Sequence, residues 1–336
     1  MGIVMSLTML AGCGAGTEGN SQDSALEAEN ITVRIGSLKG PTSMGLVCLM
    51  DRWDKGEAAQ AYEFTMTAAA DELLPAMISG DLDIALVPAN VASILYNKTE
   101  GGISVIDINT LGVLYMASGD DTIKSMEDLR GRTVYLTGKG TTPDYVLHYL
   151  LKENGLTEED VTLEYKSEAT EVAALLAKTP EAIGVLPQPF VRAACSQNES
   201  LVVVMDLTEQ WNRVQETNAA VMDGPRSQLV TGVTVVRNGF LEEHKAAVDQ
   251  FMEEHAASAA YANEHVEEAA ELVVAAGIIE KAPVAVKAMP KCNITYIDGN
   301  DMRDALEGYL SVLCEQDASS VGGSLPGEDF YYINER

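Results

Sequence analysis

The chain has 336 residues, about twice the usual domain length, so two structural lobes are the first expectation. Apolar residues make up 46% and charged residues 22%, a balance that builds a sizeable core and excludes collagen-like, coiled-coil and wholly disordered chains. The 22 Lys and Arg stand against 51 Asp and Glu, and the resulting net charge of −29 excludes non-specific binding to nucleic acid or anionic headgroups.

The amino terminus reads as an address. The apolar run Ile3-Val4-Met5-Ser6-Leu7-Thr8-Met9 leads into Leu10-Ala11-Gly12-Cys13, which resembles the lipobox of bacterial lipoproteins. Small residues at Ala11 and Gly12 suit a peptidase groove. The resemblance implies cleavage before Cys13 and acylation of its sulfur, and more than one acyl chain gives durable anchoring. The positively charged stretch that opens such signals is missing, and the plainer alternative is a frayed apolar terminus. Residues 1–13 are thus expected to be the signal. Residues 14–30 show no apolar period and read as a flexible tether with a reach of about 20–25 Å.

Ile31-Thr32-Val33-Arg34-Ile35-Gly36 alternates apolar and polar, which predicts a strand. The loop Ser37–Ser43 follows, then a helix with Met44, Val47 and Met50 at i, i+3 spacing, widened by Leu46, Leu49 and Trp53. Tyr62–Met66 is a second strand, Asp71–Ser79 a helix stopped by Gly80, and Asp83–Pro88 a strand apolar enough to be buried on both faces. Strands alternating with helices at this spacing predict βαβ units and a largely parallel sheet.

The middle segment repeats this grammar. Ser125-Met126-Glu127-Asp128 has the form of a capping box, and Thr133–Thr137 is a strand. Pro143 suits the first turn of a helix whose stripe is Val146, Leu147, Leu150 and Leu151, with Gly155 at its end. A helix near Thr170–Lys178 and the strand Ile183–Leu186 complete a further unit. Val230–Val236 is a strand, and Leu241–Asn263, Val266–Ala276 and Asp301–Leu313 show helical periodicity. Ser319–Gly327 reads as an irregular loop, after which Phe330, Tyr331 and Tyr332 are expected to dock on the body.

Five cysteines, Cys13, Cys48, Cys195, Cys292 and Cys314, include no CxxC pair, and the four histidines form no HxxxH or HxH group. No metal and no cofactor is therefore expected. Cys292 and Cys314 could be bridged in an oxidising compartment, but the burial tendency of cysteine favours four small interior hydrophobes. No stretch of 18 apolar residues exists. Catalytic motifs are absent too: there is no GxSxG, Walker A or strand-borne GxGxxG. His148 shares a helix face with Lys152 and is expected to be solvated, while His244, His255 and His265 sit on acidic helical stretches.

Two motifs together carry a resemblance. Ile78-Ser79-Gly80-Asp81-Leu82-Asp83-Ile84-Ala85, and Ser125–Val134 followed by Gly155-Leu156, are similar to the signatures of substrate-binding proteins of ABC importers. Those for nitrate, aliphatic sulfonates, taurine and thiamine-precursor pyrimidines are nearest in character. The resemblance runs from about Ile31 to Leu313. It implies a two-lobed type II periplasmic-binding-protein fold, α/β in class, with a ligand cleft between the lobes. Residues 31–112 and 235–336 would form lobe 1 and residues 113–234 lobe 2, with chain crossings near Leu111–Ser118 and Leu229–Val236.

In open α/β sheets, ligands bind beyond the carboxyl ends of the strands. Two loops there are near copies, Lys39-Gly40-Pro41-Thr42-Ser43 and Lys139-Gly140-Thr141-Thr142-Pro143. Each offers a lysine, a glycine, hydroxyls and a helix N-terminus, the elements of an anion receptor. The bland alternative is that Thr42, Thr141 and Thr142 only cap helices. The candidate ligand-binding residues are therefore Lys39, Gly40, Thr42, Ser43, Lys139, Thr141 and Thr142, joined by Thr67, Asn90 and Gln188. Tyr115, Tyr145 and Phe190 could add an aromatic wall. Screening over about 8 Å keeps the distant carboxylates from deciding the matter.

The function expected is capture of a small, anionic or polar organic solute outside the cytoplasm by a lipid-anchored monomer that delivers it to ABC permease subunits. The alternative is a cytoplasmic enzyme on the same scaffold, in menaquinone- or pyrimidine-precursor synthesis. A ligand-sensing module working with a partner kinase is a third.

Overall fold

The computed structural model describes residues 31–68, 70–219 and 227–334. Residues 1–30, with the Cys13 lipobox and the tether, lie outside the described residues.

The chain opens with β1 (Thr32–Leu38), β2 (Ala61–Thr67), β3 (Ile84–Pro88) and β4 (Ile103–Leu111) of a first sheet. It passes to a second for β5 (Leu114–Ser118), β6 (Thr133–Thr137), β7 (Thr162–Lys166), β8 (Ile183–Pro187) and β9 (Val202–Asp206), and returns to the first for β10 (Val230–Arg237) and β11 (Ile294–Ile297). The sheet orders are β11-β4-β10-β3-β1-β2 and β7-β6-β8-β5-β9. The helices are α1 (Pro41–Met44), α2 (Val47–Asp54), α3 (Ala70–Ser79), α4 (Ala89–Lys98), α5 (Thr142–Glu153), α6 (Ala169–Lys178), α7 (Phe190–Gln197), α8 (Leu207–Ala219), α9 (Asn238–Glu243), α10 (Lys245–Glu264), α11 (Val266–Ala275), α12 (Ala282–Ala288) and α13 (Gly299–Gln316).

The expected largely parallel sheet gives way to two mixed ones. β1 pairs in parallel with β2 and β3, and β6 with β7 and β8. The antiparallel partners are β10, β4 and β11 in the first sheet and β5 and β9 in the second. Four of these five strands flank the two chain crossings, and a chain entering a sheet from its neighbour runs against the βαβ direction already laid down. The return crossing lies between Asp206 and Val230, so β10 belongs wholly to the first sheet.

The two sequence motifs acquire physical meaning here. Gly80 has φ +82°, and three residues on Asp83, 1% exposed, accepts from Arg34 Nε at 2.9 Å and Arg237 Nη2 at 3.0 Å. The carboxylate ties β1, β3 and β10 together, so two charge-assisted bonds offset the cost of burying it. In the second motif, Asp128 accepts from the Ser125 N–H at 2.8 Å, as a capping box requires, and Gly131 takes φ +76°. Val146, Leu147, Leu150 and Leu151 of α5 are all buried, as their spacing predicts.

The helix expected from Met44 onward is broken into α1 and α2. At the corner, a Cβ on Gly45 would lie 3.1 Å from Ile294 Cγ2, so β11 crowds the turn. Ser258 of α10 then holds it open, donating to the Gly45 carbonyl at 2.6 Å and accepting from Leu49 N–H at 3.0 Å.

α13 packs on α4, α5, β4 and β10, so it belongs to neither sheet alone. Buried Trp211 of α8 lies 4.6 Å from Tyr149 of α5 and 5.7 Å from Tyr309 of α13, ring centre to ring centre. Such an aromatic buries 150–250 Å², worth about 4–6 kcal/mol of transfer free energy. The tail docks as expected: Phe330 is fully buried against Tyr96, and Tyr332 donates its N–H to the Val105 carbonyl at 2.9 Å. Cys48, Cys195, Cys292 and Cys314 are all free thiols, so Cys292 and Cys314 are not bridged. Cys48 and Cys292 are buried, while Cys195 and Cys314 are only half-buried.

One polar cluster sits inside the first lobe. His255 of α10 and Asp107 of β4 are both fully buried, with Nδ1 and Oδ2 at 3.2 Å. The hydroxyl of Thr234 on β10 donates to the other Asp107 oxygen at 2.7 Å and accepts from Asn109 at 3.1 Å. The stretch of α10 that carries His255 is acidic in sequence, yet its ring faces inward, stacked 5.3 Å from Phe251.

Candidate functional site

Leu38, Thr67, Pro88 and Leu111 end their strands at the same edge of the first sheet, where β10 begins. Thr137, Lys166, Pro187 and Asp206 end theirs at one edge of the second, where β5 begins. Only Gly112 and Val113 separate β4 from β5, so Leu111 and Leu114 are at most about 11 Å apart. The carboxyl ends of both parallel units therefore meet across this crossover, which is where α/β sheets bind ligands.

On the first side, Gly40 takes φ 152° and ψ −164°, a conformation essentially reserved for glycine. Exposed Lys39 donates its backbone N–H to the Thr67 carbonyl at 2.9 Å, which brings two of the expected residues together. Ser43 is fully buried and its hydroxyl donates to the Leu38 carbonyl, so it braces the loop from within. Thr42 packs against β10: a Cβ on Gly232 would lie 2.4 Å from its Cγ2 and 2.5 Å from Asn109 Oδ1. α1 has only four residues, so its N-terminus carries little dipole. Asn90, at the start of α4, spends its amide on the Ser320 carbonyl at 3.3 Å.

On the second side, Gln188 reaches the crossover, its N–H bonded to the Val113 carbonyl at 3.0 Å. Its side chain is 4% exposed, and its buried Oε1 has no partner among the described residues. The twin loop departs from expectation. Gly138 and Gly140 both have positive φ, and exposed Thr141 turns its hydroxyl back to the Gly138 carbonyl at 2.5 Å. The Gly140 N–H, which an incoming anion would need, donates to Asp144 at 2.7 Å. The helix supplies its own anion. Exposed Lys139 holds its ammonium 5.4 Å from the Tyr165 ring centre. Half-buried Thr142 opens α5.

Asp144 is the centre of a cluster the sequence did not announce. Besides Gly140, it accepts from the Tyr165 hydroxyl at 2.6 Å and contacts His148 Nε2 at 3.1 Å. Burial by itself would raise its pKa, but the bonds from His148, Gly140 and Tyr165 outweigh that and hold it below the ordinary value. The same contact raises His148 against the opposing effect of burial. His148 is thus paired and half-buried rather than solvated. The i, i+4 spacing of Asp144 and His148 on one helix was the available signal. These residues rim a depression of about 810 Å³ whose floor includes Leu151, Leu156, Val161 and Leu163.

The two sides are also tied away from the crossover. The Tyr145 hydroxyl donates to Asp317 at 3.1 Å and Gln316 to the Tyr145 carbonyl at 3.1 Å, while Asn90 holds Ser320. The end of α13 therefore bridges α4 and α5. Tyr115, offered as an aromatic wall, is buried with its hydroxyl on the Lys291 carbonyl at 2.8 Å. Among the described residues no group of three or more His, Cys, Asp or Glu could hold a metal, and no helix is long and apolar enough to cross a membrane.

A family model described as NMT1/THI5 like matches residues 102–269, half of the chain. A Brucella abortus chain named only as a binding protein is 26% identical over 162 residues, 47% of this chain and 49% of its own. The chain thus spans about half the length of the curated relatives it matches. A crystal structure of an ABC transporter from Parabacteroides distasonis aligns with TM-score 0.73 at 23% identity, covering 91% of this chain and 99% of that one. The periplasmic aliphatic sulphonate binding protein SsuA of Escherichia coli aligns with TM-score 0.67 at 16% identity, over 89% and 95%. The desulfurization enzyme DSZB aligns with TM-score 0.60 at 14% identity, over 85% and 92%. These likenesses establish the fold, that of two-lobed periplasmic binding proteins.

Proposed function

Because the chain belongs to the NMT1/THI5-like family, we propose that it is an extracytoplasmic solute-binding protein that takes a small polar organic solute between its lobes and passes it to an ABC permease. The observation that carries this is the meeting of both sets of strand ends across Gly112 and Val113, with Gln188 bonded to Val113 from one side and Thr42 packed against Gly232, the partner of Thr110, on the other. A solute touching both sides favours closure to the extent that it binds the closed form better.

Lys39, Gly40, Thr42, Ser43 and Thr67 would serve from the first lobe, with Asn90 supporting. Lys139, Thr141, Thr142 and Gln188 would serve from the second. The unpartnered Gln188 oxygen is suited to a donor on the solute, and Lys39 to its negative end. Cys13 would carry the lipid anchor, with residues 14–30 as leash to a monomeric body.

The second reading, an enzyme on this scaffold, draws on the likeness to DSZB. Both meet one experiment, a thermal-shift screen over sulfonates, nitrate, carboxylates and pyrimidines with chromatography of the mixtures afterward. A solute at 100 times its Kd adds about 2.7 kcal/mol of stability and is recovered unchanged. Recovery of a converted product sinks the binding reading in favour of the enzyme. For any hit, Lys39→Ala and Lys139→Ala should each weaken binding in calorimetry while leaving the fold intact. Unchanged affinity in both removes the lysines from the site.

A further inference from the structure

β9 is an edge strand, and it is not built like one. Natural edges are blunted by charge or proline against unwanted pairing. The opposite edge, β7, follows that rule with Glu164 and Lys166 as an ion pair at 3.4 Å. β9 reads Val202-Val203-Val204-Met205 before its first charge, and Val202 and Val203 are 53% and 45% exposed.

The ground beside it is equally unusual. A groove of about 630 Å³ runs along β9 and is walled by residues of α7 and α8, with α12 and the turn after it at one end. It is lined by Lys124, Arg192, Arg213, Lys287 and Lys291, five of the 22 basic residues of the chain, against only Asp206 and Glu209. None of the five pairs with a carboxylate among the described residues. Asp206 is already committed as the cap of α8, accepting from the Thr208 N–H at 2.9 Å. A buried polar atom of a lining residue, Arg192 Nε, has no partner among the described residues.

We propose that β9 and this groove bind an extended, acidic segment of a partner protein, added to the second sheet as a sixth strand. Backbone hydrogen bonds to the free edge supply the pairing, and the five cations select acidic side chains. Charge decides among occupants. A second copy of this chain would set five cations against five and −29 against −29, and nucleic acid would meet the same overall repulsion. A small anion would need the cations but not the exposed valines. The register of β9 slips by one residue at Val204, which twists the edge and keeps the docking motif short, within the roughly 17 Å of a five-residue strand.

The test uses the full chain and a fluorescein-labelled heptapeptide alternating Glu and Val, read by anisotropy at about 50 and about 500 mM salt. Expected is saturable binding, at least about tenfold weaker at high salt and in the Arg192→Glu, Lys287→Glu double variant. Val203→Pro, which removes an edge donor, should abolish it. Should that variant melt early, Val203→Glu keeps the N–H and should also abolish binding by adding negative charge to the edge. Equal binding of a Lys-Val peptide, indifference to charge reversal, or full binding by both Val203 variants overturns the proposal. So does displacement of the peptide by inorganic sulfate at matched charge, which would mark an anion site. Loss of solute binding would leave these results untouched, so the two readings fail separately.

Discussion

Replacing His255 by Phe tests whether the buried Asp107 cluster is an energetic unit. His255 stacks on Phe251 at 5.3 Å and meets Tyr296 edge-on at 5.8 Å, so a Phe ring preserves shape and packing. What is lost is one of the two side-chain donors to a fully buried carboxylate. Stranding one member of a buried pair costs about 3–5 kcal/mol when both are ionised, and about 1–3 kcal/mol when the bond is neutral. About 3 kcal/mol is the value both regimes share. For a lobe of about 200 residues each kcal/mol moves Tm by about 2–4 °C, so the variant should melt about 6–12 °C early by circular dichroism.

The control is the double variant Asp107→Leu with His255→Phe. It removes the stranded carboxyl, and the Thr234 hydroxyl keeps its bond from Asn109 at 3.1 Å. Most of the lost stability should return, because apolar replacement of a complete buried pair is often neutral. A single variant that loses less than about 1 kcal/mol refutes the reasoning, as does a double variant no better than the single.

Gly232→Ala would press its Cβ to 2.4 Å from Thr42 Cγ2 and 2.5 Å from Asn109 Oδ1, an overpacking cost of about 1–3 kcal/mol in urea unfolding. Adding Thr42→Ser removes the first clash and should recover part of that loss; no recovery would mean that the loop yields freely. The Asp144–His148 pair predicts a pH dependence. His148 is raised above 6.5, so its contribution is complete below 6.5 and fades as pH climbs through the folded value. Asp144 is held below 3.8, so its contribution is present above 3.8 and is lost only in stronger acid. The melting-point gap between wild type and His148→Gln should therefore be wider at pH 5.5 than at pH 8.5, and a constant gap would contradict the pairing.

Apolar periodicity located β1, β2, β3, β6, β8 and β10, because each alternates or runs apolar against a covering helix. It missed β4, whose Asp107, Asn109 and Thr110 make Ile103–Leu111 look like loop. All three are buried; Asp107 and Asn109 are met by Thr234 and His255, which lie 125 or more positions away in sequence, and Thr110 donates to Asn109 Oδ1 at 2.9 Å. Long-range polar satisfaction leaves no local signature. Likewise the split of α1 from α2 depends on Ser258 and Ile294, both outside any window around Gly45. β9 is different: Val202-Val203-Val204-Met205 has the composition of a strand, and what the sequence does not show is that Val202 and Val203 stay exposed at an edge.

The twin loops mark the limit most clearly, since Lys-Gly followed by proline, hydroxyl residues and a helix start reads alike in both. Their difference is Asp144, one residue past the motif, whose carboxylate closes on the Gly140 N–H. A helix N-terminus attracts an anion by about 0.3–1 kcal/mol at an exposed site. An uncompensated carboxylate 4–5 Å away opposes it by up to about 4 kcal/mol at an effective dielectric constant of 20. Three donors quench part of that charge, and Lys139 offsets more, but the balance at α5 no longer favours a second anion seat. Under the solute-binding proposal, the negative end of a solute belongs with Lys39 in the first lobe, where no carboxylate among the described residues is bonded to the Gly40 turn. Its hydroxyl or amino groups then belong with Gln188 and the α5 loop. A solute with one anionic end and one hydrogen-bonding end suits this asymmetry better than a dianion does.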